Sequence, residues 1–286
     1  MKVVIVGAKG QLGRTLTQTV PRGAQCLALD LPEFDIVDAA TVAAMVADAR
    51  PDVIVNAAAY TAVDRAEQEA DVAFGVNADG PRNLARAAAK GQIRLIHVST
   101  DYVFDGTACS PYAPDAPCSP LGVYGRSKRQ GEIHVQSTWD DVVIVRTSWL
   151  YSSHGSNFLR TMLNLMGTRD ELKVVADQVG GPTSAATLAA AIWAAVEHRQ
   201  LRGIYHWSDA GVASWYDFAV AIQEEALARD LLPKAILIRP IGTVDYPTPA
   251  KRPAYSVLDC RSAWRDLNMA PMHWRAALRQ VLDGFQ

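Results

Sequence analysis

Tyr124 and Lys128, in the run Tyr124-Gly125-Arg126-Ser127-Lys128, are the residues of this chain best suited to moving a proton. On a helix, a spacing of four sets both side chains on one face, one turn apart. A phenol with an unperturbed pKa of about 10 is a slow partner at neutral pH, because general acid–base catalysis favours a pKa near the working pH. A neighbouring ammonium favours the phenolate and lowers that value. Upstream, Ser99-Thr100-Asp101-Tyr102 closes an apolar run. A hydroxyl from Thr100 can there polarise a carbonyl and hold it in line, as oxyanion-type stabilisation requires. Together the three side chains could deliver a proton to a carbonyl oxygen while a hydride reaches the carbon, with Lys128 also donating to a nicotinamide ribose. A Tyr-x-x-x-Lys pair alone is equally what a surface helix carries, so its weight comes from its surroundings.

The source of a hydride is written at the N-terminus. Val3–Val6 runs into Gly7-Ala8-Lys9-Gly10-Gln11-Leu12-Gly13 and then a helix, the strand–turn–helix context that gives a glycine fingerprint meaning. Gly7 permits the tight turn, Gly10 admits a pyrophosphate close to the backbone, and Gly13 lets the helix pack on the strand. The spacing is GxxGxxG, one residue longer than GxGxxG. Asp30, twenty residues after Gly10, ends the second strand candidate, where a carboxylate can bind the adenosine ribose hydroxyls and favour NADH over NADPH. The other reading of Asp30 is a solvated acid at a strand end. Asp35 and Ile36 lie where an adenine edge could rest. Ala57, Ala59, Tyr60 and Thr61, in Ala57-Ala58-Ala59-Tyr60-Thr61, follow the third strand and leave room for a ligand, although a close-packed turn reads the same way.

The elements that must position these groups alternate. Apolar runs at 3–6, 26–29, 53–56, 94–98 and 142–146 read as strands buried on both faces, with helices near 11–20, 39–49, 77–90 and 124–137 between them. This is the pattern of an α/β, Rossmann-type doubly wound parallel sheet. After about Arg146 the rhythm changes: helices near 157–165 and 184–197, a strand at 204–206, a helix at 214–229, a strand at 235–239, a Pro-rich loop at 246–253 and a helix at 273–282. We read residues 1–148 as a dinucleotide-binding domain to which some later segments return. Residues 149–286 read mainly as a smaller α/β substrate domain. Trp149, in Arg146-Thr147-Ser148-Trp149, suits a wall against a sugar, or a core position. Arg252 could hold a pyrophosphate bidentately, or simply be solvated.

Composition excludes other classes. The 286 residues are 49% hydrophobic and 20% charged, with a net charge of −2, which argues against a nucleic-acid binder. The opening MKVVIVGAKG is too short an apolar run for a signal peptide or a membrane span. Cys26, Cys109, Cys118 and Cys260 form no CxxC pair and read as free thiols in a reducing cytoplasm. The six histidines have no metal-ligand spacing, and His97 reads as a strand packing residue.

With those residues in view, the chain resembles the extended short-chain dehydrogenase/reductase superfamily, and within it the dTDP-4-dehydrorhamnose reductase family. The resemblance runs through GAKGQLG (7–13), RPDVIVNAAAYTAVDRAE (50–67), HVSTDYVFDG (97–106), SPLGVYGRSKRQGE (119–132), RTSWLYSSHGSNF (146–158), DQVGGPTSAATLA (177–189) and YPTPAKRPAYSVLD (246–259). It implies NAD(P)H-dependent reduction of the 4-keto group of dTDP-6-deoxy-L-lyxo-4-hexulose to dTDP-L-rhamnose. Tyr124 would be the proton donor, Lys128 its partner and Thr100 the helper hydroxyl, with Asp101 and Trp149 on the substrate. Gly10, Gln11, Leu12, Asp30, Asp35, Ile36, Ala59, Tyr60 and Thr61 would contact the cofactor. Some members place a glutamate two residues after the third fingerprint glycine, in a magnesium-linked dimer. This chain has Thr15 there, which argues against a Mg²⁺ bridge and leaves a homodimer open. Two alternatives stand beside this: reduction of another nucleotide-linked ketosugar, or a non-catalytic NADP-binding subunit resembling the methionine adenosyltransferase β subunit.

Overall fold

The structure is a computed structural model that describes residues 1–285. The first half alternates as the apolar runs require: β1 (Lys2–Val6), α1 (Gln11–Gln18), β2 (Gln25–Leu29), α2 (Ala39–Ala49) and β3 (Val53–Asn56). Short helices α3 (Val63–Ala66) and α4 (Ala70–Phe74) precede α5 (Gly80–Gly91), β4 (Arg94–Thr100), α6 (Val123–Thr138) and β5 (Val142–Thr147). The helix expected from residue 77 begins later, because residues Gly75–Asp79 form a π-helical turn. Pro81, near the N-terminus of α5, has no N–H to give to the turn before it.

Beyond β5 lie β6 (Leu150–Tyr151), α7 (Phe158–Thr168), β7 (Glu171–Val175), β8 (Val179–Gly180), β9 (Thr183–Ser184), α8 (Ala185–Glu197) and β10 (Gly203–His206). The chain ends with β11 (Ala213–Ser214), α9 (Trp215–Leu227), β12 (Leu237–Ile241), α10 (Arg261–Asp266) and α11 (Trp274–Asp283). Strand β7 alternates buried and exposed residues and pairs in parallel with β12.

Six parallel strands form the main sheet in the order β2-β1-β3-β4-β5-β10. Side-chain alternation divides its two faces. Val3, Ile5, Val53, Val55, Ile96, Val143 and Val145 pack with α1 and with Leu188, Ile192 and Val196 of α8. Val4, Val6, Ile54, Leu95, Val142 and Ile144 pack with residues of α2 and α5 on the other side. Each buried valine or isoleucine contributes about 1.5–3 kcal/mol, so strands of this composition are stable only when covered on both faces. A separate core forms around Leu159, Met162, Leu172, Phe218, Ile222, Trp274 and Leu278, contributed by α7, β7, α9 and α11. Order reverses at β1, which has β2 on one side and β3 on the other. In an open parallel sheet the crevice beyond the strand ends at such a point is where ligands bind.

Candidate active site

That crevice is a cleft of about 1140 Å³, lined from both halves of the chain. Its floor is the turn after β1. Gly7 has φ +82°, and a Cβ there would lie 2.5 Å from the Ala58 nitrogen. A Cβ on Gly13 would sit 2.1 Å from the Gly7 carbonyl oxygen, so glycine is what lets α1 approach the turn. No side chain caps the N-terminus of α1, and no acidic residue stands in its first turn. Its N–H groups are therefore left for an anion, and a dinucleotide's diphosphate fits.

At the end of β2, Asp30 Oδ2 accepts the Lys9 N–H and Oδ1 accepts the Leu31 N–H, each at 2.7 Å. The Lys9 ammonium donates to the Leu31 carbonyl at 2.5 Å and to Glu33 at 2.9 Å. The cleft edge thus offers both a carboxylate and a cation at the place where an adenosine ribose would reach.

The proton-handling groups meet at the ends of β4 and α6. Gly125 makes that meeting possible, since a Cβ on it would lie 2.2 Å from the Tyr102 carbonyl oxygen. The buried Ser127 anchors the next turn by accepting from Asn77 Nδ2 at 3.0 Å. The Lys128 ammonium donates to the Val98 carbonyl at 2.6 Å. Burial pushes Lys128 down to about 8, opposed by the Glu132 carboxylate. Burial pushes the Tyr124 phenol up to about 12; the Thr100 hydroxyl pulls it down and the Asp101 charge pushes it up. This differs from the sequence expectation of a phenol lowered by Lys128. Desolvation of the buried phenolate is the largest cause, and it raises the value.

Thr100 donates to Asp101 Oδ1 at 2.9 Å. Asp101 is 2% exposed and burial pushes it up to about 6, with the Ser256 and Thr100 hydroxyls pulling it back. Asp101 Oδ2 and Thr147 Oγ1 are buried with no well-aligned hydrogen bond among the described residues, while the Ser99 hydroxyl lies toward the Glu132 carboxylate. Polar atoms at one end of a cleft suit a ligand rich in hydroxyl groups. His97 packs in β4, facing Asn56 at 3.1 Å, and burial holds it well below the usual histidine range, with Lys128 adding to the effect.

Among the residues singled out from sequence, all line the cleft except Gly13 and Tyr60. Gly13 sits behind the turn. The Tyr60 hydroxyl bonds to Glu69, and its ring packs against the cluster of Ala66, Ala73 and Val123. Arg252 reaches the cleft, but its guanidinium already makes the bidentate contact expected of it, to Asp64, at 3.2 and 2.8 Å. Sequence reasoning missed Lys9, the segment Gly155–Ser156, Phe158 and Trp215, all of which line the cleft. Trp215 opens an amphipathic helix and reads from sequence as core. Lys9 was visible inside the fingerprint as a cation beside Asp30's loop. Among the described residues there is no group of three His, Cys, Asp or Glu side chains placed to hold a metal ion, and no helix long and apolar enough to cross a membrane.

Sheet order, fingerprint turn and the Thr100/Tyr124/Lys128 grouping define an oxidoreductase of the extended short-chain dehydrogenase/reductase class. Comparison narrows this. Residues 1–286 match the family described as RmlD substrate binding domain, and the chain belongs to that family. It is 42% identical to the dTDP-4-dehydrorhamnose reductase of Aggregatibacter actinomycetemcomitans, over 98% of each chain. A dTDP-4-dehydrorhamnose reductase from Clostridium acetobutylicum superposes with a TM-score of 0.94 at 38% identity, covering 100% of both chains. The Bacillus anthracis enzyme of the same name, in complex with NADP, gives 0.93 at 35% identity over 99% of both chains.

Proposed function

We propose that this chain catalyses NAD(P)H-dependent reduction of the 4-keto group of dTDP-4-dehydro-L-rhamnose, giving dTDP-L-rhamnose. The observation that carries the reading is the meeting of Thr100, Tyr124 and Lys128 in the cleft that also contains the uncapped fingerprint turn. Residues 1–148 would supply the dinucleotide side, and residues 149–286 most of the substrate side. Four free thiols suit a reducing cytoplasm.

Gly7, Gly10, Gln11 and Leu12 would hold the diphosphate, and Asp30 the adenosine ribose. Lys9 supports NADPH as well, because a 2′-phosphate would find its ammonium there. A bound nicotinamide supplies the hydride. The chain's own residues handle the proton. With a pKa of about 12, Tyr124 keeps its proton through neutrality and is an acid ready for an oxygen becoming an alkoxide. Thr100, between Tyr124 and Asp101, aligns the carbonyl. Lys128 is charged at pH 7 and favours the phenolate left behind. The Asp101 carboxylate would accept a sugar hydroxyl.

The test is NADH and NADPH oxidation with dTDP-4-dehydro-L-rhamnose generated in situ, beside Tyr124→Phe. The expected result is turnover in the parent and a fall in kcat of about 10²–10⁴ in the variant, with cofactor affinity retained. A cofactor-binding protein without turnover would overturn the sugar assignment, and other nucleotide-linked ketosugars would be tried next.

A further inference from the structure

Trp149 stands in a backbone conformation that a tryptophan rarely adopts. Its φ is +46°, in the left-handed region, two residues after the end of β5. Two residues earlier, Thr147 pairs in register with Thr100, so this turn begins beside the reacting end of the sheet. Non-glycine residues hold such a conformation only when their surroundings enforce it, and such residues cluster at functional sites.

The enforcement comes from the second half of the chain. The Trp149 indole lies flat on Trp215, with ring centroids 3.5 Å apart and planes 4° from parallel. On β8, a Cβ added to Gly180 would come within 2.6 Å of Trp149 Cε2 and Nε1, so the indole also fills the space left by that glycine. Trp215 is fixed in turn. It is the first residue of α9, whose N-terminus carries a capping box between Ser214 and Asp217, and its indole N–H donates to Gln178 at 3.2 Å. Trp149 and Trp215 both line the cleft and both are half-buried. An indole pair used only to fill a core would not be left facing a cavity, with one member in a disfavoured backbone state.

We propose that Trp215 is a positioning residue for the reductase site, holding the Trp149 indole as the wall against which the sugar ring of the substrate packs. Helix α9 thereby sets the shape of a pocket whose chemistry lies on β4 and α6. The inference rests on the reductase reading.

The test combines steady-state kinetics at saturating NADPH with far-ultraviolet circular dichroism, where two stacked indoles give an exciton couplet. Trp215→Leu is expected to raise KM for the sugar nucleotide about tenfold, leave kcat within about threefold, leave cofactor affinity unchanged and abolish the couplet. Trp215→Phe also loses the couplet but keeps a flat ring under Trp149, so its KM should return to within about threefold of the parent. Gly180→Ala puts a Cβ into the space the Trp149 indole fills and should raise KM likewise, so the inference does not hang on one variant folding. A Trp215→Leu protein with parental KM, or a Trp215→Phe protein as impaired as Trp215→Leu, would overturn the inference. A parent protein without turnover on any nucleotide-linked ketosugar would instead remove the reductase reading, and this inference with it, whatever the couplet shows.

Discussion

The Asn157 amide donates to the Gln11 side-chain oxygen at 2.8 Å, tying the phosphate loop of the first half to the cap of a helix in the second. Asn157 is the N-cap of α7, accepting the Arg160 N–H. Gln11 also donates to the Ser156 carbonyl at 3.2 Å, and its own carbonyl receives the His154 ring at 3.1 Å. The segment from Ser152 to Asn157 is thus seated on the first turn of α1, where the proposed reading puts the diphosphate.

The Gln11 side-chain oxygen also accepts from the Ser152 hydroxyl at 3.0 Å, so Gln11→Ala removes three ties to this segment and leaves the backbone carbonyl in place. Neutral hydrogen bonds contribute about 0.5–1.5 kcal/mol each, so cofactor affinity should weaken about three- to tenfold. Titration by quenching of tryptophan fluorescence would read it. Unchanged affinity would mean that the 152–157 segment seats itself without Gln11 and plays no part in holding the dinucleotide.

Cofactor choice should turn on Lys9. Its ammonium is held by the Leu31 carbonyl and Glu33 but stays 58% exposed, so its attraction for a phosphate is partly screened. Lys9→Ala should lower kcat/KM with NADPH about tenfold and change it less than twofold with NADH. The parent's activity with NADPH, relative to NADH, should also fall as salt is raised. Equal losses with both cofactors would place Lys9 in general loop support instead.

These two cases show how the sequence could be read and where it stopped. The glycines, Asp30, Thr100, Tyr124 and Lys128 were legible because backbone geometry or proton chemistry admits few residue types at each, and their spacing follows the strand–helix repeat. The strands were legible because burial on both faces demands unbroken apolar runs, such as Val53–Asn56. Trp215 was not legible, since an indole on an amphipathic helix looks the same in sequence whether it faces a core or a cleft. Nor could sequence foresee that Arg252 is held by Asp64, 188 residues away. The Tyr124 environment was misjudged for a related reason. Four residues of spacing predict that an ammonium is near, but only the fold shows it bonded to Val98 and both groups desolvated.

The alkaline side of the activity profile should report Lys128. Its pKa is lowered to about 8, so it is charged below that pH and neutral above it. In the reductase reading, kcat/KM should be flat through neutrality and fall about tenfold per pH unit above about 8. Lys128→Met should run at least a hundredfold lower and lose that limb. A limb surviving in the variant would assign it to another group. The sign for stability is opposite: between about 8 and the ordinary lysine value of about 10.4 the unfolded chain binds the extra proton, so this group alone makes stability rise with pH there.

Asp101 should trade stability for binding. Its pKa is raised to about 6 against an ordinary value of about 3.9, so between those values the folded chain keeps a proton that the unfolded chain releases. Its stabilising contribution is complete below about pH 4 and is lost as pH rises through 6. Above that, a buried carboxylate remains, offset only in part by the Ser256 and Thr100 hydroxyls. Asp101→Asn keeps the shape and an acceptor for the Thr100 hydroxyl while removing the charge. It should raise Tm by a few degrees at pH 7.5, where about 1–3 kcal/mol of burial cost is relieved, and give no gain at pH 4. The same variant should bind the sugar nucleotide about tenfold more weakly, because a carboxylate accepts a sugar hydroxyl more strongly than an amide does. Thermal melts at the two pH values, run beside substrate KM, separate the two effects. A variant less stable than the parent at pH 7.5 would show that a partner of the charge, Ser256 or a bound water, already offsets its burial.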